Sequence, residues 1–307
     1  MHTLIQEITS SGIVITDGAW GTELQKKGLK PGENPDSWNL TNPRAVEEIP
    51  RGYIDAGSRI VLTNTFGANR YVLGKVGLAD QVRSINKAGV EISKRAASGR
   101  AQVFGSMGPS GKLLMRKEVT STDLQAAFDE QARAIQEGGA DGIVIETMMD
   151  VREALAAITA AKRTGLAVVA CMVFDAGKEK DRTMMGDTIE SVVHSFADAG
   201  VDVIGVNCGQ GVRGFMPICK RMRGITDLPL WMKPNAGLPS IEHGAAVYKT
   251  GPQEFADGAA ELITVGANFI GGCCGTGPEY ILAIASMVEE YAGRHMFPDW
   301  AFIHKDE

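Results

Sequence analysis

The chain has 307 residues and a formal net charge of -6 at pH 7, long for one small domain but within the ordinary size of a single α/β barrel. Its 37 acidic against 31 basic residues argue against a nucleic-acid partner, because phosphate backbones select for basic surfaces. No stretch approaches the roughly 20 apolar residues that a membrane span needs, and Met1 to Ser10 has no basic segment leading into an apolar one, so a cytoplasmic location is expected.

Apolar residues make up 44% of the chain and aromatics only 6%, a balance suited to buried parallel strands and close-packed helices. In chain order, strands are expected near 12–18 (GIVITDG), after Asp55 (DAGSRIVLTN), near 102–108 (QVFGSMG), after Glu137 (EGGADGIVIE), near 167–174 (AVVACMVF), after Asp198 (DAGVDVIGVN), near 228–237 (LPLWMKPNAG) and after Thr264 (TVGANFIGG). Before the second, fourth, sixth and eighth of these stand Gly57, Gly139, Gly200 and Gly266, suited to the left-handed position that stops a helix. Their spacings of 82, 61 and 66 residues each fit two strand-helix units. Amphipathic stretches follow the strands, among them Thr122–Glu137 with Thr122 as cap and Met149–Lys162 with Asp150 as cap. With no linker or composition break, the expectation is one domain over residues 1–307, an α/β fold of the single (β/α)8 TIM-barrel class.

In such a barrel the reactive groups lie at the C-terminal ends of strands. Here those ends carry Asp17-Gly18, Thr63-Asn64-Thr65, Ser106, Glu146-Thr147, Asn207-Cys208, Asn235 and Cys273-Cys274. Five cysteines, two of them adjacent, do not form a secreted disulfide framework. Cys208, Cys273 and Cys274 reach one rim and match a zinc site with one open coordination position. The weaker alternatives are buried core thiols or a vicinal disulfide switch at Cys273 and Cys274. The glycines Gly271, Gly272 and Gly275 are read as a flexible clamp around that pair. Cys171 and Cys219 are expected to pack, and His2, His194, His243, His295 and His304 show no ligand spacing. Gly209, Gly211 and Gly214 satisfy a dinucleotide-loop pattern but lie deep in the chain without the acidic residue expected about 20 positions on, so a tight loop beside Cys208 is the simpler reading.

The segments DGAWGTELQ at Asp17, TNTFGANR at Thr63, GSMGPSG at Gly105, ETM at Glu146, GVNCG at Gly205, KPNAG at Lys233 and GGCCGT at Gly271 together resemble the homocysteine S-methyltransferase family over nearly the whole chain. That family comprises the zinc barrels shared by betaine-dependent and S-methylmethionine-dependent enzymes and by the first domain of cobalamin-dependent methionine synthase. The resemblance implies that Cys208, Cys273 and Cys274 hold Zn2+, and that Asn235 can fill the open position before substrate arrives. It also implies that Asp17, Gly18, Thr63, Ser106 and Glu146 bind the amino-acid end of homocysteine, Asp17 and Glu146 taking its ammonium group.

Three thiolates leave a zinc centre with a fourth sulfur net negative, which keeps an incoming thiolate nucleophilic toward a methyl carbon. An onium donor such as betaine would sit against aromatic faces, for which Trp38, Trp20 and Tyr71 are the expected residues, Trp38 first because DSWNLTNP resembles bacterial betaine-using members. Gly67, however, follows Thr65-Phe66 where the animal betaine enzymes carry Tyr and the cobalamin branch carries Gly. A methylcorrinoid on a separate protein therefore stands as the alternative donor. A thiol-redox or metal-buffering protein and a non-catalytic barrel are the readings from other classes; a homo-oligomer is compatible with each.

Overall fold

A computed structural model describes residues 1–242, 245–294 and 297–298; His243, His295 and His304, and the last part of the expected 1–307 domain, lie outside these. Eight parallel strands carry the fold: β1 (Val14–Ile15), β2 (Ile60–Leu62), β3 (Gln102–Met107), β4 (Gly142–Met148), β5 (Ala167–Met172), β6 (Val203–Gly211), β7 (Leu230–Asn235) and β10 (Ala267–Ile270). They form one sheet in the order β1-β10-β7-β6-β5-β4-β3-β2. Between β7 and the next helix runs a short antiparallel hairpin, β8 (Ser240–Glu242) with β9 (Ala245–Val247). The sheet closes where Arg59 N–H donates to Ile15 O at 2.8 Å and Leu62 N–H donates to the Asp17 carboxylate at 2.8 Å. One backbone bond and one side chain thus close the seam between β1 and β2, the two ends of the strand order.

Helices α4 (Pro43–Asp55), α6 (Val82–Ala97), α7 (Ser121–Glu137), α8 (Val151–Lys162), α9 (Ile189–Asp198), α10 (Val212–Arg223), α11 (Pro252–Thr264) and α12 (Pro278–Gly293) follow the strands in turn. The expected stops are present, since Gly57, Gly139, Gly200 and Gly266 all have positive φ. Asp150 caps α8 by accepting from Arg152 N–H. The cap of α7 is Thr120 rather than Thr122, because Thr120 and Asp123 close a reciprocal capping box that starts the helix one residue before Thr122.

Two cores result. Outward-facing strand residues and the helices make the larger one. The barrel interior is filled by Val14, Ile60, Leu62, Phe104, Val144, Val169, Cys171, Val203, Trp231 and Phe269, with Ile5 and Ile8 of α1 (Thr3–Thr9) joining them. Trp231 stands between Phe104 and Phe269, with ring centroids 6.5 and 5.3 Å away. A packed interior leaves chemistry to the open end of the strands.

Candidate active site

At that end lies a cavity of about 260 Å3 whose walls include Gly18, Trp20, Pro35, Asp36, Thr63, Phe66, Ser106, Glu146, Thr147, Cys208, Lys233, Cys273 and Cys274. Its sulfur side joins two strand ends. The ligand atoms of Cys208, Cys273 and Cys274 lie within 4.8 Å of one another, and Cys208 Sγ is 3.9 Å from Cys274 Sγ. All three thiols are free. Tetrahedral zinc with bonds near 2.3 Å sets its sulfurs about 3.8 Å apart, so the cluster fits such an ion.

Cys208 sits in the left-handed region at φ 63°, a strained setting for a residue with a Cβ and one that marks functional positions. It turns the side chain at the end of β6 toward the pair after β10. Cys273 N–H donates to Pro234 O at 2.8 Å, and Cys274 N–H donates to Asn235 Oδ1 at 3.1 Å, so β7 anchors the vicinal pair. Asn235, expected as a stand-in ligand, is therefore brought to the cluster with its amide oxygen already engaged. The glycines beside the pair serve close packing rather than the flexibility expected of them: a Cβ on Gly271 would come within 2.0 Å of Thr16 Oγ1, and one on Gly272 within 2.3 Å of Thr276 Oγ1.

Hydrogen bonds from Cys273 and Cys274 hold the Cys208 thiol far below the ordinary thiol range, while the same contacts push Cys273 well up and Cys274 up to about 11. The three sulfurs thus compete for negative charge, and a cation among them would favour the ionised form of each. Cys171 and Cys219 are fully buried, and burial raises both, Cys219 to about 12; they pack, as expected.

The opposite side of the cavity carries charge. Glu146 Oε1 accepts from Ser106 Oγ at 2.5 Å, and Ser106 N–H donates to Thr63 Oγ1 at 3.1 Å. Burial raises the Glu146 carboxyl, with the Lys233 ammonium acting against it. Asp17 accepts from Lys233 Nζ at 2.5 Å, from Trp20 Nε1 at 2.9 Å and from Leu62 N–H. Asp17 itself does not line the cavity, whereas Gly18 does. Asn207 exchanges hydrogen bonds with Thr147 at 2.7 Å in each direction, and its amide lies 3.8 Å from Cys273 Sγ.

Of the three aromatics named from the sequence, the structure brings only Trp20 to the cavity. Trp38 and Tyr71 are half-buried against the helix layer, and the loop preceding Trp38 contributes Pro35 and Asp36 instead. Trp38, on the short α3 (Trp38–Thr41), packs against the larger core and is not among the residues lining this cavity. Sequence reasoning gave no role to Lys233, Thr147, Asp36 or Phe66. Lys233 had a readable signal, a lone cation inside the apolar run LPLWMKPN.

Residues 14–288 match the profile of a family described as homocysteine S-methyltransferase. Among curated proteins, the chain is 32% identical over 304 residues to a methionine synthase of Mycobacterium tuberculosis and 31% identical to that of Mycobacterium leprae. In each case 93% of this chain is matched but the chain spans only 25% of the relative. Among solved structures, the fold is similar to the metallated form of the homocysteine methyltransferase MmuM from Escherichia coli, at 23% identity and a TM-score of 0.77, covering 93% of this chain and 98% of that one. With the profile covering most of its length, the chain belongs to the homocysteine S-methyltransferase family.

Proposed function

We propose that this chain is a zinc-dependent S-methyltransferase that forms methionine from homocysteine and a small onium donor such as betaine, acting in the cytoplasm as one barrel domain. The observation that carries the reading is the convergence of three free thiols from two strand ends on one wall of a cavity with charged groups on the other. Cys208, Cys273 and Cys274 would hold the zinc, which when bound lets a thiol enter as thiolate at neutral pH. Cys208's strained backbone and the β7 contacts of the vicinal pair fix the three sulfurs before metal or substrate arrives. Glu146, oriented by Ser106 and itself buried, receives the substrate ammonium. Trp20 and Phe66 line the cavity and would offer aromatic faces to an onium methyl group. Displacement from such a donor diminishes charge, so a cavity poor in water favours it.

A methylcorrinoid on a separate protein is the second reading, supported by relatives that are about four times the length of this chain and by Gly67. Zinc-loaded protein supplied with homocysteine and, separately, betaine, dimethylsulfoniopropionate, S-methylmethionine or methylcobalamin is expected to yield methionine with an onium donor. Turnover with methylcobalamin alone would select the second reading, and no methionine from any donor would overturn both.

A further inference from the structure

Lys233 is the one cationic side chain among the residues that line the cavity, and the mechanism above leaves it idle. Its side chain is only 3% exposed, a setting in which lysine occurs almost solely with a partner. An ammonium has three protons to donate. Among the described residues Nζ makes one hydrogen bond, to Asp17 Oδ1, and Lys233 also lines the cavity alongside Glu146, Ser106 and Thr63. Asp17 is meanwhile fully occupied by Lys233, Trp20 and Leu62, so its charge is cancelled before substrate binds. What faces an entering ligand is a lysine with protons to spare and, in the same cavity, the Glu146 carboxyl.

We infer that Lys233 receives the α-carboxylate of the thiol substrate, with Asp17 as the positioning residue that holds its ammonium in place. The inference rests on the methyltransferase reading and deepens it. The site then selects a zwitterion: Glu146 meets the ammonium, Lys233 the carboxylate, and the cysteine cluster the sulfur. A ligand lacking the carboxylate leaves a buried cation short of an acceptor, a loss that buried charge pairs make large.

Calorimetric titration of the zinc-loaded protein with homocysteine and with 3-aminopropane-1-thiol, which keeps thiol and amine but lacks the carboxylate, tests this. The wild type is expected to bind the aminothiol at least about 30-fold more weakly. Since Lys233→Met alone strands Asp17 in the interior, the informative variant is Asp17→Asn with Lys233→Met, in which homocysteine affinity should fall to that of the aminothiol. Equal binding of the two thiols by the wild type, or a preference that survives in the double variant, overturns the Lys233 assignment alone. Binding of neither thiol overturns it together with the methyltransferase reading.

Discussion

The two sides of the cavity solve opposite electrostatic problems. On the sulfur side, like groups are crowded together, three thiols that cannot all ionise without a cation among them. On the far side, one pair of opposite charges is already matched, Lys233 with Asp17, and the Glu146 carboxyl acts on the same ammonium. The first arrangement is incomplete in the protein alone and so marks where an ion belongs; in the second the pair of Lys233 and Asp17 is neutral by itself and so can be kept buried and preorganised, leaving Glu146 to meet a cationic group. One reacts and the other orients.

The largest effect expected from breaking this contrast is on the sulfur side. Cys208→Ser should lower methionine formation by more than about 100-fold, beyond the 10–100-fold usual for residues that only support a metal ligand, with bound zinc by elemental analysis falling in parallel. Cys171→Ala, which alters a thiol walled into the barrel interior, should leave zinc content unchanged.

On the charged side the loss should appear as stability. Lys233→Met is expected to cost about 3–5 kcal/mol in urea unfolding because Asp17 is left buried without its partner, and adding Asp17→Asn should recover much of it. A double variant no more stable than the single one would show that the pair is not what keeps the two charges inside.

Asp36 departs from both patterns. Its carboxyl is buried in the cavity wall with no cationic partner among the described residues, bonded by Gly67 N–H at 3.2 Å and by the Asn34 amide at 3.5 Å, and burial raises it to about 7. A Cβ on residue 67 would lie 2.7 Å from Asp36 Oδ2, so the glycine after Phe66 lets the carboxyl sit close to this turn. Because the folded-state value is raised, the neutral acid is the favoured form. Stability is then full below the ordinary carboxyl value, declines as pH rises toward 7, and levels off above it. Asp36→Asn should remove that decline, raising stability at pH 8 by no more than about 4 kcal/mol, the full size of the shift, and changing little at pH 4. Parallel thermal unfolding of variant and wild type across pH measures it, and identical pH profiles would refute it.

The smallest effect is expected far from both sides. Thr120→Ala removes the α7 capping box and should cost about 1 kcal/mol while leaving zinc content and methionine formation as they were. A loss of zinc in that variant would mean that the cluster depends on general stability rather than on its own anchors.

Much of this protein was legible without coordinates. Four of the eight strands follow from apolar runs after helix-stopping glycines and the other four from the apolar runs spaced between them, because chain stiffness and burial act locally and leave a periodic trace. The three cysteines are readable for a related reason: barrel topology sends every strand end to one rim, so position along the chain becomes position in space. Other matters were settled only when distant segments met. That Lys233 neutralises Asp17, 216 residues away, that Trp38 turns to the outer core while Trp20 reaches the cavity, and that Gly271 and Gly272 are glycine for want of space depend on contacts across the barrel. Charge pairing and close packing fall off within a few ångströms, so only the folded chain determines which groups they join.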